Sequence, residues 1–165
     1  MIRRATIDDL NKILSIVRSA QLSLRELGID QWQDGYPSRE VICSDIDAGI
    51  GWVLVDTDEV VGYAAIVLTG EEAYKQLSDN SWHTSNDYVV VHRLCVDANR
   101  RRGGIATELM DHAAAMGRKV SMDGFRIDTH RGNVRMLALV KKYGFSYCGI
   151  VRYESGERMA FDYKL

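Results

Sequence analysis

The chain has 165 residues, 46% of them hydrophobic and 27% charged, which suits one domain with a single packed core. Its 21 Lys and Arg against 23 Asp and Glu leave a net charge of −2, and nothing in that balance favours bulk binding to nucleic acid or an anionic membrane. Cys43, Cys95 and Cys148 are odd in number, widely spaced and without a C-x-x-C, so neither a disulfide framework nor a zinc ribbon is expected; they read as small buried or half-buried side chains.

No stretch reaches the ~20 apolar residues that cross a bilayer. The first residues lack the apolar core of a signal peptide, so the cytoplasm is the expected location. Residues 2–5 read as a strand. Thr6 and Asp9 form a capping-box pattern before Leu10, Ile13, Leu14, Val17, Ala20 and Leu24, which recur at helical spacing up to Gly28. A loop with two aromatics follows, Gln31-Trp32 and Tyr36-Pro37. Ser38 can cap a second helix carrying Val41, Ile42 and Ile46, which stops near Gly49. Residues 52–55 and 60–68 are apolar runs around Asp56-Thr57-Asp58-Glu59 and read as a β-hairpin.

Residues 71–87 are polar, with Tyr74, Leu77 and Trp82 embedded, and are long for a connection inside a compact domain. One helical turn is expected there. Residues 88–96 form an apolar strand, and residues 107–119 a helix with Leu109, Ala113 and Met116 on the face that Ile105 begins. Then come a strand at 125–129, a helix at 133–143, and an antiparallel pair at 146–153 and 158–163. There is no internal repeat, and glycine with Asn, Asp and Ser does most of the punctuation.

The most informative stretch is Arg101-Arg102-Gly103-Gly104-Ile105-Ala106, between a strand and a helix start. The first turn of a helix has amides without intrahelical partners, and its dipole adds positive charge. The two glycines remove side chains that would hold a phosphate away. Arg100, Arg101 and Arg102 add formal charge. The stretch reads as a pyrophosphate site, with an ordinary basic helix-capping turn as the alternative. It is not a P-loop, and it lacks the three-glycine dinucleotide fingerprint.

Arg101, Gly104 and Ala106 match R/Q-x-x-G-x-G/A. Asn133, opening a helix that ends at Tyr143-Gly144-Phe145, adds a second matching signature. Together they resemble the GNAT (Gcn5-related N-acetyltransferase) acyltransferases, over nearly the whole chain, as a small single-domain bacterial-type member. The resemblance implies an α/β (α+β) fold: a mixed, mostly antiparallel sheet, helices on both faces, and parallel strands 88–96 and 125–129 splayed apart. It implies acetyl-CoA as acyl donor, with the pantetheine arm in the splay and the pyrophosphate on Arg101, Arg102, Gly103, Gly104, Ile105, Ala106 and Thr107. The main chain of Leu94, Cys95 and Val96 matches positions that align the pantetheine and thioester; the plain alternative is strand core. The implied acceptor is a primary amine of a small molecule, peptide or protein. No nucleic acid or membrane partner is implied, and a homodimer is admitted.

Three residues are candidates for the chemistry. His92 lies two and four residues before Leu94 and Val96, so alternation places the three on one face; it resembles the proton-relaying strand histidine of serotonin-type N-acetyltransferases, or is a structural histidine. Asn133 is expected to contact cofactor or acceptor, or to act as an N-cap, or both. The family often has a tyrosine seven residues on as general acid, but here that position is Val140. Tyr143 is the nearest phenol, as general acid or as a ring packed at the helix end. Cys95 is not expected to be a nucleophile. Trp32, Tyr36, Tyr74 and Trp82 line an acceptor pocket or anchor their loops. Asp34, Glu71 and Glu72 attract a cationic amine or are simply solvated. No metal site is expected, because His83, His112 and the Asp128-Thr129-His130 stretch lack ligand spacing. A non-catalytic acyl-CoA sensor on the same fold, and a nucleotide-binding regulator using the basic loop, are the competing readings.

Overall fold

Among the described residues, apolar runs separated by short polar breaks give seven strands and four α-helices in the order β1 (Ile2–Arg4), α1 (Leu10–Glu26), α2 (Arg39–Asp47), β2 (Gly51–Asp56), β3 (Glu59–Val67), β4 (Tyr88–Val96), α3 (Ile105–Lys119), β5 (Gly124–Thr129), α4 (Val134–Tyr143), β6 (Ser146–Tyr153) and β7 (Gly156–Lys164). The computed structural model describes residues 1–78, 81–100 and 103–165. Arg101 and Arg102, expected in the phosphate loop, lie outside the described residues. The strands form a seven-stranded sheet in the order β1-β2-β3-β4-β5-β7-β6, mostly antiparallel, with β4 and β5 parallel. The expected element order is the observed one; α3 begins two residues earlier than expected, and the helical turn expected in the 71–87 segment is a 3-10 turn at Glu72–Gln76.

The chain divides into two units, residues 1–66 with 91–112, and residues 67–90 with 113–165. Each boundary falls inside a regular element, β3, β4 or α3, and not in a linker.

In the first unit, β1 lies antiparallel to β2, and β2 and β3 form a hairpin. Thr57 and Asp58 both have positive φ, 47° and 66°, the backbone that lets two residues close a right-twisted hairpin. Thr6 starts the next element: its amide donates to Asp9 Oδ2 at 2.8 Å, and the Asp9 amide donates back to the Thr6 carbonyl. Arg3 grips the same carboxylate with two bonds of 2.7 and 2.8 Å. These contacts, Arg3 first, pull the Asp9 carboxyl down to about 2. Helix α1 then buries Leu10, Ile13, Leu14, Ile16, Val17 and Leu24. Ile13, Val17, Ile42, Val53 and Tyr63 form the centre of this unit's core. Ser38 caps α2 through Oγ, which accepts from the Val41 amide.

In the second unit, Tyr88, Val89 and Val90 of β4 pair with Gly124, Phe125 and Arg126 of β5. Strand β7 lies antiparallel to both β5 and β6. Helix α4 ends on Gly144 in the left-handed region, φ 103°, whose amide caps the carbonyls of Val140 and Lys141. Tyr143, Phe145, Phe125 and Tyr163 pack their rings together beside that end.

Candidate active site

The strand that enters the phosphate loop is fixed by Asp97. Its amide donates to the Val61 carbonyl, and its own carbonyl accepts from the Arg100 amide, closing the 3-10 turn at Ala98–Arg100. Asp97 Oδ1 accepts from the Asn99 amide, and Oδ2 from Lys12 Nζ of α1 at 2.8 Å. Lys12 holds this carboxyl below its ordinary value. Arg100, which adds formal charge beside the loop, pairs with Asp56 at 3.3 Å.

Gly104 has φ 80°, and a Cβ built on it meets none of the described residues within 4 Å. Its carbonyl accepts from the Glu108 amide, the first bond of α3. The amides of Ile105, Ala106 and Thr107 therefore precede the intrahelical ladder. A left-handed glycine that no other described residue crowds, followed by a helix N-terminus, fits an anion. Behind it, Gly62 of β3 faces α3 so closely that a Cβ would meet Ile105 Cγ2 at 2.6 Å and Leu109 Cδ1 at 3.1 Å. The start of α3 is thereby seated on β3.

Strand β4 carries a feature the sequence pattern hides. Arg93 has φ 54°, left-handed, in the middle of the strand. Alternation holds for Leu94, Cys95 and Val96, which are half-buried, buried and half-buried. It does not carry across Arg93, so the face expected to be common to His92 and Leu94 is not fixed by period two. The left-handed residue costs roughly 1–2 kcal/mol. It is held by its side chain: Nε and Nη2 donate to the two oxygens of Asp45 at 2.8 and 2.7 Å, and Nη1 to Tyr36 Oη at 2.7 Å. Tyr63 Oη donates to the same carboxylate at 2.6 Å. The pair is nearly closed to solvent, 13% and 6% exposed. Burial opposes the guanidinium's charge, but Tyr36 and Asp45 more than offset it, and its pKa rises. Burial first, then Asp45, pushes the Tyr63 phenol up.

Asp45, Arg93 and Asp97 were not among the expected site residues. An arginine inside the apolar run of β4 is the legible signal, since such a charge demands a carboxylate. Its partner, 48 residues earlier, carries no local sign.

Cys95 is 5% exposed, and burial pushes its thiol up to about 12. His92 is half-buried on β4. Trp32, φ 63°, packs against the first unit's core, and Tyr36 is 37% exposed with its hydroxyl on Arg93.

In the second unit, Asn133 is the N-cap of α4: Oδ1 accepts from the Met136 amide at 3.2 Å. Val140, at the family's tyrosine position, is 1% exposed and part of the core. Tyr143 sits edge-on to Phe125 and Tyr163. Tyr74, expected to line an acceptor pocket or anchor its loop, is 2% exposed and donates to Asp128 Oδ2 at 2.7 Å, an anchoring contact. Tyr153 donates to the same oxygen at 2.8 Å. Trp82 Nε1 donates to the Tyr74 carbonyl, and its ring lies 4.1 Å from the Arg126 guanidinium. Glu71 caps the amide of Ala73 and Glu72 pairs with Lys75, so both acids have local work. Thr129, at the end of β5, keeps a buried hydroxyl with no partner among the described residues.

Among the described residues, no helix is long and apolar enough to cross a membrane. None of the curated proteins compared matches the chain. The model of the acetyltransferase (GNAT) family matches residues 18–145. An acetyltransferase of the GNAT family from Streptococcus agalactiae 2603 is 32% identical, with a TM-score of 0.90 over 100% of this chain and 95% of that one. In fold the chain is also similar to the ribosomal-protein-alanine N-acetyltransferase of Brucella melitensis, at 20% identity, TM-score 0.70 and coverage of 100% and 99%. The PaiA N-acetyltransferase of Thermoplasma acidophilum, solved with coenzyme A, gives 16% identity, TM-score 0.74 and coverage of 99% and 98%. With its glycine turn opening α3 and its asparagine capping α4, the chain belongs to the GNAT family of acetyltransferases and is an enzyme of the N-acetyltransferase class.

Proposed function

We propose that the protein transfers an acetyl group from acetyl-CoA directly to a primary amine of a small molecule, peptide or protein. The observation that carries this reading is the opening of α3: a left-handed Gly104 that no other described residue crowds, ahead of three amides outside the helical ladder. The family match and a coenzyme A complex among the similar structures support the choice of ligand. In this reading the amides of residues 103–107 take the diphosphate, with Arg101 and Arg102 adding charge. The main chain of Leu94, Cys95 and Val96 aligns the pantetheine and the thioester carbonyl. Asn133, whose Oδ1 serves α4, offers its amide nitrogen to cofactor or acceptor.

Transfer needs a neutral amine, a stabilised carbonyl oxygen and a proton for the departing thiolate. His92 is the proposed base that takes the proton of the ammonium form. Helix α4 has one phenol, Tyr143, and it is the proposed proton source, with water as the substitute. Trp32 and Tyr36 are proposed for the acceptor side, where Arg93 fixes the Tyr36 hydroxyl. Three free cysteines suit a reducing compartment, and the cytoplasm is the proposed location.

Calorimetric titration with acetyl-CoA, CoA and ATP, followed by thiol release across an amine panel, tests the reading. Acetyl-CoA and CoA should bind and ATP should not compete. Absence of acetyl-CoA binding would reject the cofactor. Binding without thiol release from any amine would reject the transfer.

A further inference from the structure

Outside the acyl-transfer machinery, three side chains of different elements converge in the second unit. His83 comes from the segment before β4, Cys148 from β6 and Asp162 from β7. One ligand atom from each lies within 4.8 Å of the other two. His83 Nδ1 is 2.9 Å from Asp162 Oδ1 and 3.3 Å from Cys148 Sγ. We propose that His83 Nδ1, Cys148 Sγ and Asp162 Oδ1 form a binding site for a borderline-soft divalent cation of the zinc type, with water as the fourth ligand.

Donor chemistry, spacing and backbone geometry carry this. Nitrogen, sulfur and carboxylate oxygen are the zinc donor set. Tetrahedral bonds of roughly 2.0 Å to N and O and 2.3 Å to S set donor atoms about 3.3–3.5 Å apart, so small side-chain shifts suffice. Cys148 is also the extra residue of a β-bulge: Tyr147 pairs with Phe161 and Gly149 with Ala160, leaving Cys148 without a cross-strand partner. Bulges re-aim a side chain, and this one turns a buried thiol towards the other two donors.

The third donor is positioned by its surroundings. Asp162 Oδ2 accepts from the amides of His83 and Thr84, at 2.7 and 2.9 Å, and from the Thr84 hydroxyl at 3.1 Å. Those bonds orient the carboxylate and leave Oδ1 for the cation, as outer-shell partners do at metal sites. Access is provided by His83, whose side chain is 53% exposed, while Asp162 is 2% exposed. Neighbouring charge is compatible. On binding, the His83 imidazole passes to the Nε2–H tautomer through solvent, which frees the Nδ1 lone pair for the cation. The Cys148 S–H bond breaks, its proton leaves to solvent, and the sulfur–metal bond forms. Thiolate and carboxylate then match the two charges of the ion, so the Arg126 guanidinium beside Thr84 faces a neutral centre. Spacing along the sequence could not reveal the site, because its ligands are 65 and 14 residues apart.

The test uses the full chain, stripped with a chelator and titrated with Zn(II) by calorimetry and by competition with a chromophoric chelator. Co(II) provides a spectrum. A single equivalent of Zn(II) should bind and raise Tm, because the ion binds only the folded form. Co(II) should give thiolate-to-metal charge-transfer absorption and the visible bands of a tetrahedral ion. His83→Gln and Cys148→Ser should each weaken binding by at least about tenfold, and Cys148→Ser should abolish the charge-transfer band. His83→Gln alters a half-exposed side chain, so it decides the matter even where Cys148→Ser unfolds. No Zn(II) binding by the wild type, or binding unchanged in His83→Gln, would overturn the site.

Discussion

Asp45→Asn is the sharpest perturbation the first unit offers. The substitution keeps the volume, so no cavity forms. It removes the charge that accepts from Arg93 Nε, from Arg93 Nη2 and from Tyr63 Oη. An asparagine amide would also turn a donor towards one of those donors. Breaking one side of a buried pair costs about 3–5 kcal/mol, because the other charge stays desolvated. Exposures of 13% and 6% place this pair in that class and not among surface pairs worth under ~1 kcal/mol. A loss near 4 kcal/mol corresponds to roughly 8–16 °C in Tm at this chain length. Thermal and urea melts followed by circular dichroism read it directly. The double variant Asp45→Leu with Arg93→Met should recover most of the loss, since an apolar replacement of both partners carries no stranded charge. Tyr36→Phe, which removes one bond at a partly exposed hydroxyl, should cost no more than about 1 kcal/mol. A loss below about 1 kcal/mol in Asp45→Asn would refute the argument that Arg93 depends on this carboxylate.

Gly104→Glu should lose acetyl-CoA binding by calorimetry while retaining its circular dichroism. A side chain at φ 80° costs roughly 1–2 kcal/mol, and its charge would enter the anion cradle; unchanged affinity would remove the cradle. Gly62→Ala should cost about 1–3 kcal/mol and weaken acetyl-CoA binding as well, because its Cβ would displace Ile105 at the start of α3; a stable variant with wild-type affinity contradicts that coupling. His92→Ala should lower turnover more at neutral pH than at high pH, where the amine is already neutral, and an equal loss at every pH would cancel the base assignment. The Asp9 carboxyl, lowered from 3.8 to about 2 chiefly by Arg3, contributes stability that is fully present above pH ~4 and lost as pH falls towards 2. Urea melts across that window should show a shallower acid slope in Asp9→Asn than in the wild type, and parallel slopes would contradict the shift.

Most of the architecture was written locally. Apolar period, Thr6 and Ser38 as caps, the Thr57-Asp58 turn and Gly144 after α4 are each decided by a few neighbouring residues, which is why the element order was readable. The glycine turn before α3 and the asparagine before α4 were legible for the same reason: their geometry is set by φ values and cap positions within one turn. Tertiary structure decided what depends on distant partners. Arg93 takes a left-handed backbone inside a strand because Asp45 and Tyr36 hold its guanidinium. Tyr74 is an anchor because Asp128 accepts its hydroxyl across 54 residues. Arg100 is paired because the hairpin brings Asp56 to it, and Cys148 meets His83 and Asp162 because a bulge and two strand registers place it there. Local pattern fixes backbone preference, but the partner of a charge or a thiol is chosen by chain closure, and closure leaves no mark in the spacing of residues.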